Sequence, residues 1–512
     1  MKHGFGRRDF LKLAGMVPLG LLAPPLLKTI GASQLMQGER KNVLVILFDS
    51  FSAYDISLYG YGRETTPNLD RLAKRANVYY NHFSGGNYTT PGTASLLTMS
   101  HPWSHRAFRF GAEVRDSYAA KSIFHAFDDY HRMGYTHNPL ANTLLQQFQR
   151  DIDEYVPMES LFISNDGLIR KIFSGDEDIA TVSWSRDMKR SEYGYSYSLF
   201  LNHLYEEYQQ RKLASYKNLY PNGLPNTNGG NFYALEEGID WLREHVTDLP
   251  QPFFAYVHYH PPHFPYKPRI EFNNIFLKDN FKPLDKPQDE FFSEGNAYET
   301  LSNARAYYNE FILNVDSEFG RLFDTLESTG VLENSWVVLT SDHGEMQERG
   351  ISGHVTPTLY QPIVRVPLMI FEPGQQTGRE IHTPTAAVDL MTTMLHVTGH
   401  KIPDWSEGAI LPPYTPQILQ KENAVYTVQA RRNNVELPLT EATIIQVLGN
   451  YKLIYYLGYE QLGSLGERYQ LFDIKSDPEE LTDLSATKKE TAAELLNMLK
   501  SKLREVNEPF HG

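Results

Sequence analysis

Asp49 closes a short, continuous apolar run, residues 42–48 (Asn-Val-Leu-Val-Ile-Leu-Phe). Runs of this kind suit a strand buried on both faces of a parallel sheet. A second apolar run, 336–340, is followed by Asp342-His343-Gly344-Glu345. Ligands of open α/β sheets gather at the carboxyl ends of the strands. Two carboxylates and an imidazole at two such ends offer the oxygen and nitrogen donors that hold a divalent cation. Either Asp alone could simply cap a helix; taken together with His343 they point to a metal.

Thr89-Thr90-Pro91-Gly92-Thr93 opens a second segment of interest. Thr90 and Pro91 read as the N-cap and first residue of a helix, which places Thr89 just outside its N-terminus. Orphan backbone N–H groups and the helix dipole favour an anion there. A hydroxyl at that point, bound to a metal, can ionise and attack phosphorus or sulfur. An ordinary capping Thr is the plain alternative on this segment alone. The third segment, His258-Tyr259-His260-Pro261-Pro262-His263-Phe264-Pro265-Tyr266, follows an apolar run at 253–257. It reads as a stiff loop whose three histidines can bind an oxyanion or give a proton to a leaving group.

The elements that must position these residues alternate. Apolar runs at 253–259, 336–340 and 366–371 read as strands, and helical patterns at 307–330 and 386–397 lie between and after them. Such alternation implies a parallel α/β sheet. Residues 67–73 read as a helix start with Thr66 as N-cap, and 214–231, rich in Asn, Gly, Pro and Tyr, as a surface loop. Beyond 404 the pattern changes. Residues 451–457 and 469–474 read as two antiparallel strands, and 492–506 as a closing amphipathic helix. The expected fold is therefore α/β, a large mostly parallel sheet sandwiched by helices, with a small C-terminal antiparallel sheet plus helix. The expected division is a catalytic domain at 40–405 and a small α+β subdomain at 415–508.

Before these comes Gly6-Arg7-Arg8-Asp9-Phe10-Leu11-Lys12 and an apolar stretch, 13–27. Basic residues ahead of about 15 apolar ones form a signal peptide, and the Arg-Arg-x-Phe-Leu-Lys run matches the twin-arginine type. Residues 1–38 are expected to export the protein already folded, by the twin-arginine machinery, to the periplasm or another extracytoplasmic space; an uncleaved, signal-anchored form is the variant of this expectation. The 512 residues carry 48 Lys plus Arg against 62 Asp plus Glu, a net charge of −14. That balance, with no long basic run, argues against a nucleic-acid partner. The chain has no cysteine, which excludes disulfides, thiolate metal sites and cysteine nucleophiles.

The sequence resembles the sulfatase branch of the alkaline phosphatase superfamily over residues 41–505. The resemblance is carried by the run ending in Asp49, by Tyr59-Gly60-Tyr61-Gly62, and by Thr66-Pro67-Asn68-Leu69-Asp70-Arg71-Leu72-Ala73. Val315-Asp316 through Gly320, Thr340-Ser341-Asp342-His343-Gly344-Glu345 and Arg365-Val366-Pro367-Leu368 follow in order, and Pro262-His263-x-Pro265 matches a substrate-loop histidine. Asp389, Pro403, Tyr451-Lys452-Leu453-Ile454, Leu471-Phe472-Asp473 and Asp477-Pro478 match the family's C-terminal part. Two departures stand out. The family's C/S-x-P-S/A-R motif, whose Cys or Ser becomes formylglycine, aligns with Thr89 to Thr93, so no formylglycine is expected and the motif's Arg is missing. Ser50 stands where a second Asp is usual. Threonine as nucleophile resembles the phosphodiesterase and phosphotransferase relatives.

The resemblance implies a hydrolase acting on a phosphoric or sulfuric ester, or a phosphotransferase, working through a Thr89 covalent intermediate. It implies one divalent metal, zinc or manganese favoured and calcium possible, held by Asp49, Thr89, Asp342 and His343. His263 is the expected proton donor or oxyanion contact. His137, His354 and His105 are expected substrate-binding residues, His105 at the pocket entrance. The substrate expected is a small-molecule, lipid-headgroup or glycan ester. The alternatives are a sulfatase without formylglycine and an inactive sulfatase-like binding protein.

Overall fold

The computed structural model describes residues 40–164, 196–227, 231–415 and 423–511; the expected export segment, 1–38, lies outside the described residues. Lys41–Gly512 forms one compact unit. Its main sheet uses β1 (Asn42–Asp49), β2 (Asn77–Tyr79), β3 (His131–Thr136), β4 (Glu154–Tyr155), β5 (Phe253–Pro262), β6 (Ser335–Thr340), β7 (Leu368–Phe371) and β8 (Arg379–Ile381). Their order across the sheet is β8-β2-β7-β6-β1-β5-β3-β4. All neighbours are parallel except at β7, which runs antiparallel to both β6 and β2.

The helices that place the site are α1 (Pro67–Leu72), α2 (Thr89–Thr98), α3 (Pro139–Gln147), α4 (Leu235–His245), α5 (Tyr298–Ser328) and α6 (Ala387–Val397). The strand period of two decides which helices cover which face. Leu44, Ile46 and Phe48 of β1 pack with Ile239 of α4 and Ile312, Val315 and Phe319 of α5. Val43, Val45 and Leu47 pack with Ala94 and Leu97 of α2, Leu144 and Leu145 of α3 and Leu390 of α6. Each large aliphatic side chain so buried contributes roughly 1.5–3 kcal/mol, which anchors β1 at the centre of a three-layer sandwich.

The element bounds differ from expectation in instructive ways. β5 continues to Pro262, so His258 and His260 lie on a strand and not in a loop. β7 begins at Leu368, since Pro367 has no N–H to give a ladder. α5 starts at Tyr298, nine residues before the expected 307 (307 − 298 = 9). Its early turns are fixed by ions as well as apolar contact: buried Arg305 donates to Asp55 at 2.8 Å, a feature that hydrophobic periodicity does not register. α2 starts at Thr89 with Tyr88 as N-cap, two residues earlier than read from Thr90-Pro91.

The small antiparallel sheet has four strands where two were expected: β9 (Val425–Gln429), β10 (Ala442–Leu448), β11 (Tyr451–Leu457) and β12 (Glu467–Asp473). Helix α7 (Lys489–Asn507) covers one face, with Leu495 and Leu499 against Ile444, Leu453 and Leu471. The other face, Ile445, Ile454 and Phe472, packs on Phe83, Ile363 and Val364. No helix among the described residues is long and apolar enough to cross a membrane.

Candidate active site

The carboxyl ends of β1, β5 and β6 lie side by side, with Leu47 opposite both His258 and Thr340. The β1–β5 ladder breaks at its end: Phe48 pairs with Tyr259, Asp49 with Pro262. This local bulge re-aims the side chains of the strand end. Ser50 follows in the left-handed region (φ 58), a conformation that strains a non-glycine residue by about 1–3 kcal/mol. The turn is held from α5, where the Tyr308 hydroxyl donates to Ser50 O at 2.5 Å. The Ser50 amide donates to Asp342 Oδ1 at 3.4 Å.

Four side chains converge there, all fully buried. His343 Nδ1 lies 2.9 Å from Gly344 O. A carbonyl only accepts, so Nδ1 carries the proton and Nε2 is left as a lone pair. That lone pair faces Asp49 Oδ1 at 3.4 Å and Asp342 Oδ2 at 3.6 Å. His258 Nε2 lies 3.3 Å from Asp49 Oδ2 and 3.9 Å from Asp342 Oδ2. His258 Nε2 and Asp342 Oδ2 are buried with no hydrogen-bond partner among the described residues. Burial, then the neighbouring charge of Asp49, pushes the Asp342 carboxyl up, to about 7. Burial also opposes ionisation of Asp49, but the adjacent His258 and the nearby imidazoles hold it well below the usual range. Lone pairs and carboxylates this close repel one another unless a cation lies among them. Asp49, His258 and Asp342 lie close enough together to hold one divalent cation, and His343 Nε2 stands beside both carboxylates.

Thr89 borders this cluster. Its Oγ1 is 3.4 Å from His343 Nε2 and accepts from Asn138 Nδ2 at 3.1 Å. The Asn138 amide is oriented from its other end: Oδ1 caps α3 by accepting from Leu140 N at 2.7 Å. Nδ2 is thereby aimed at the site, where it also donates to Asp49 Oδ2 at 2.5 Å. As the first residue of α2, Thr89 has an amide with no acceptor inside the helix; the first intrahelical bond comes from Gly92 N to Tyr88 O, 3.1 Å. Gly92 explains itself: a Cβ there would stand 2.3 Å from Asp342 O. Only glycine lets the helix start approach the metal-binding turn this closely.

The histidines divide. His263 and His354 line a cleft of about 870 Å³ that opens on Thr89. Their rings lie 5.0 Å apart, and His354 sits 4.3 Å from the His343 ring. His263 Nδ1 is 2.6 Å from Phe264 O, so its Nε2 is the free nitrogen. His354 Nδ1 is 3.2 Å from Glu345 Oε2. Burial disfavours its protonation, but the Glu345 carboxylate outweighs burial and raises it above the ordinary value. His137 is elsewhere. It lies in a buried aromatic box, stacked 4.7 Å from Tyr233 and 5.7 Å from Phe162, because neighbouring residues leaving β3 point opposite ways and Asn138 takes the site side.

His105 is not at the entrance. It is fully buried, with Nε2 3.1 Å from Ser95 Oγ and Nδ1 accepting from Ala107 N at 3.0 Å. That pattern fixes the neutral ring and ties α2 to the turn after it. Burial, with His101 and Arg106 nearby, lowers its pKa from 6.5 to about 3. A depressed histidine contributes stability that is present above about 6.5 and lost as pH falls toward about 3, by about 1.4 kcal/mol per pH unit. We expect His105→Asn to flatten the pH 4–6 slope of unfolding free energy in urea by about that amount; an unchanged slope would remove His105 from the acid response.

The model of the family described as Sulfatase matches residues 41–400. The chain belongs to the sulfatase family. Residues 356–509 match the C-terminal model of N-sulphoglucosamine sulphohydrolase, a span that takes in β7, β8 and α6 as well as the small sheet and α7. Arylsulfatase K of Xenopus laevis is 27% identical over 301 residues, covering 52% of this chain and 54% of the relative. The chain thus spans about half the length of that relative. Choline-sulfatase of Rhizobium meliloti (strain 1021) is 23% identical over 473 residues, 88% of this chain and 83% of that protein. The solved phosphonate monoester hydrolase of Agrobacterium radiobacter superposes with a TM-score of 0.64 at 19% identity, covering 91% of this chain and 96% of that one. That likeness shows the alkaline phosphatase-like fold. Asn138 was not among the residues expected at this sulfatase-family site, and His258 was expected only as an oxyanion or proton-donating histidine. Asn138-Pro139 carries an N-cap signature directly after β3, and His258 lies on an apolar strand beside β1; both signals were available.

Proposed function

We propose that the protein is an exported, metal-dependent hydrolase that cleaves a phosphoester, of the phosphodiester or phosphonate type, through a covalent ester of Thr89. The observation that carries this reading is the placement of Thr89 Oγ1 at the start of α2, 3.1 Å from Asn138 Nδ2 and 3.4 Å from His343 Nε2, with the Asp49, His258 and Asp342 donors alongside. A divalent cation bound there, zinc or manganese by its donor types, supplies positive charge that lowers the hydroxyl pKa and neutralises a non-bridging ester oxygen. The protein's own groups supply the rest. Asn138 holds Oγ1 toward the cleft, and the amides at the start of α2 stabilise developing negative charge. Thr89 Oγ bonds to phosphorus as the bond to the leaving alcohol breaks. His354, whose protonation the Glu345 carboxylate favours, is placed to give that alcohol its proton, while His263 Nε2 faces the oxyanion. Thr89 loses its proton to solvent before the attack, and His354, having given its own to the alcohol, regains one from solvent. Water then cleaves the Thr89 ester and returns a proton to the Thr89 oxygen.

A sulfuric ester is the second reading, favoured by the sulfatases among the relatives. Initial rates of metal-loaded protein on p-nitrophenyl sulfate, phosphate monoester and phosphodiester, with Thr89→Ala as blank, separate the two. A dominant Thr89-dependent phosphodiester rate supports our reading, and a dominant Thr89-dependent sulfate rate replaces it with the second. Export in the folded state rests on the Arg7-Arg8 run; replacing both with Lys should leave the protein in the cytoplasmic fraction, and continued export would refute a twin-arginine route.

A further inference from the structure

The cleft over Thr89 is much larger than the reacting group requires. Its volume of about 870 Å³ is several times the roughly 150 Å³ that encloses a benzene molecule. Four separate segments present large apolar side chains to it: Phe110 (51% exposed), Phe264 (64%), Tyr307 (37%) and Val355 (39%). Phe110 is backed by Tyr88 at 4.9 Å and Phe264 by Tyr266 at 5.5 Å. Exposed aromatics gathered in one concavity mark a surface made to be covered.

The charges of the cleft point the same way. Among its described lining residues the one ammonium, Lys267, is committed to Leu224 O at 3.1 Å, and burial lowers its pKa. Glu294 and Glu345 also line it. Arg431 stacks its guanidinium over the Phe110 ring at 5.2 Å, which places one further cation at the rim. Glu345 is taken up by His354, which leaves Glu294 beside a tethered Lys267 and one rim guanidinium, no basic array for a polyanionic chain.

We propose that the substrate is amphiphilic: one anionic ester head at Thr89, carried by a long, uncharged apolar alcohol that lies against Phe110, Phe264, Tyr307 and Val355. This rests on the ester-cleaving reading above and specifies its leaving group. The alcohol is chosen by apolar burial, which is additive in methylenes.

Phenyl phosphodiesters bearing para-methyl, para-butyl or para-hexyl groups have nearly equal leaving-group acidity and differ in apolar length. For the metal-loaded protein, kcat/KM is expected to rise about 2- to 4-fold per added methylene. Phe264→Ala and Phe110→Ala should each lower the hexyl-to-methyl ratio at least severalfold. A flat or falling series would overturn the proposal, as would a tenfold preference for a para-carboxyphenyl ester or a sulfated oligosaccharide. If no ester in the series is turned over in a Thr89-dependent way, the catalytic reading fails separately. Calorimetry with para-hexylphenol then decides the apolar site: binding weakened by Phe264→Ala upholds it, and absence of binding overturns it.

Discussion

Thr89→Ala is expected to abolish turnover, with a loss of about 10³- to 10⁴-fold or more, while the protein stays folded. The size follows from the role: removal of a nucleophile leaves only binding and charge stabilisation, which other covalent enzymes show to be a small residue of the rate. The fold should tolerate the change because it removes one hydroxyl and one methyl at the start of a helix whose remaining residues are packed on all sides. Thr89→Ser keeps the oxygen and should retain a measurable rate. Asn138→Ala keeps the nucleophile but frees it, and is expected to cost about 10²-fold in kcat, the scale of a misplaced reacting group. Initial rates with near-ultraviolet circular dichroism as a fold control test all three. Full activity of Thr89→Ala would remove Thr89 from the chemistry.

Asp342→Asn is expected to lower bound divalent metal from stoichiometric to near zero, and turnover by about 10³-fold with it, since several kcal/mol of charge stabilisation leave together. A second readout does not depend on activity. Metal at 100-fold its Kd should stabilise the wild type by about 2.7 kcal/mol, a thermal shift the variant loses. Without metal, the sign reverses. Asp342 is pushed up to about 7 in the fold, so the metal-free wild type loses stability as pH rises from about 4 to about 7. Metal-free Asp342→Asn should therefore melt higher than metal-free wild type at pH 8, and the gap should narrow as pH falls toward about 4. His258→Ala should weaken metal binding at least tenfold. Unchanged metal content in both variants would place the cation elsewhere.

The layout of the large sheet was legible because β1, β5 and β6 are buried on both faces and so read as unbroken apolar runs. Asp49 and Asp342-His343 were legible for a related reason: a polar residue at the carboxyl end of such a run stands out. The prolines after His260 point to a loop there, whereas the register break after Phe48 lets β5 run on to Pro262. Asn138 was passed over for His137, the more reactive residue type. In the fold the histidine is buried among Tyr233 and Phe162, and the amide performs two tasks at once, capping α3 and holding Thr89. The start of α5 was missed because Arg305, Asp55 and Glu348 fix it through buried ion pairs, and charge pairs across distant segments leave no periodic trace. β10 pairs with β11 across the two-residue turn Gly449-Asn450, a local hairpin signal that the sequence does carry.

The most direct test is to quench a phosphodiester reaction of the metal-loaded protein in acid and map the modified peptide by mass spectrometry. A threonine ester, unlike an aldehyde hydrate, has no carbonyl-forming exit and must wait for water, so a fraction of the enzyme is expected to carry the acyl-like phosphoryl adduct on Thr89. A turnover-competent protein that never carries an adduct at Thr89, or carries it on another residue, would contradict the threonine route.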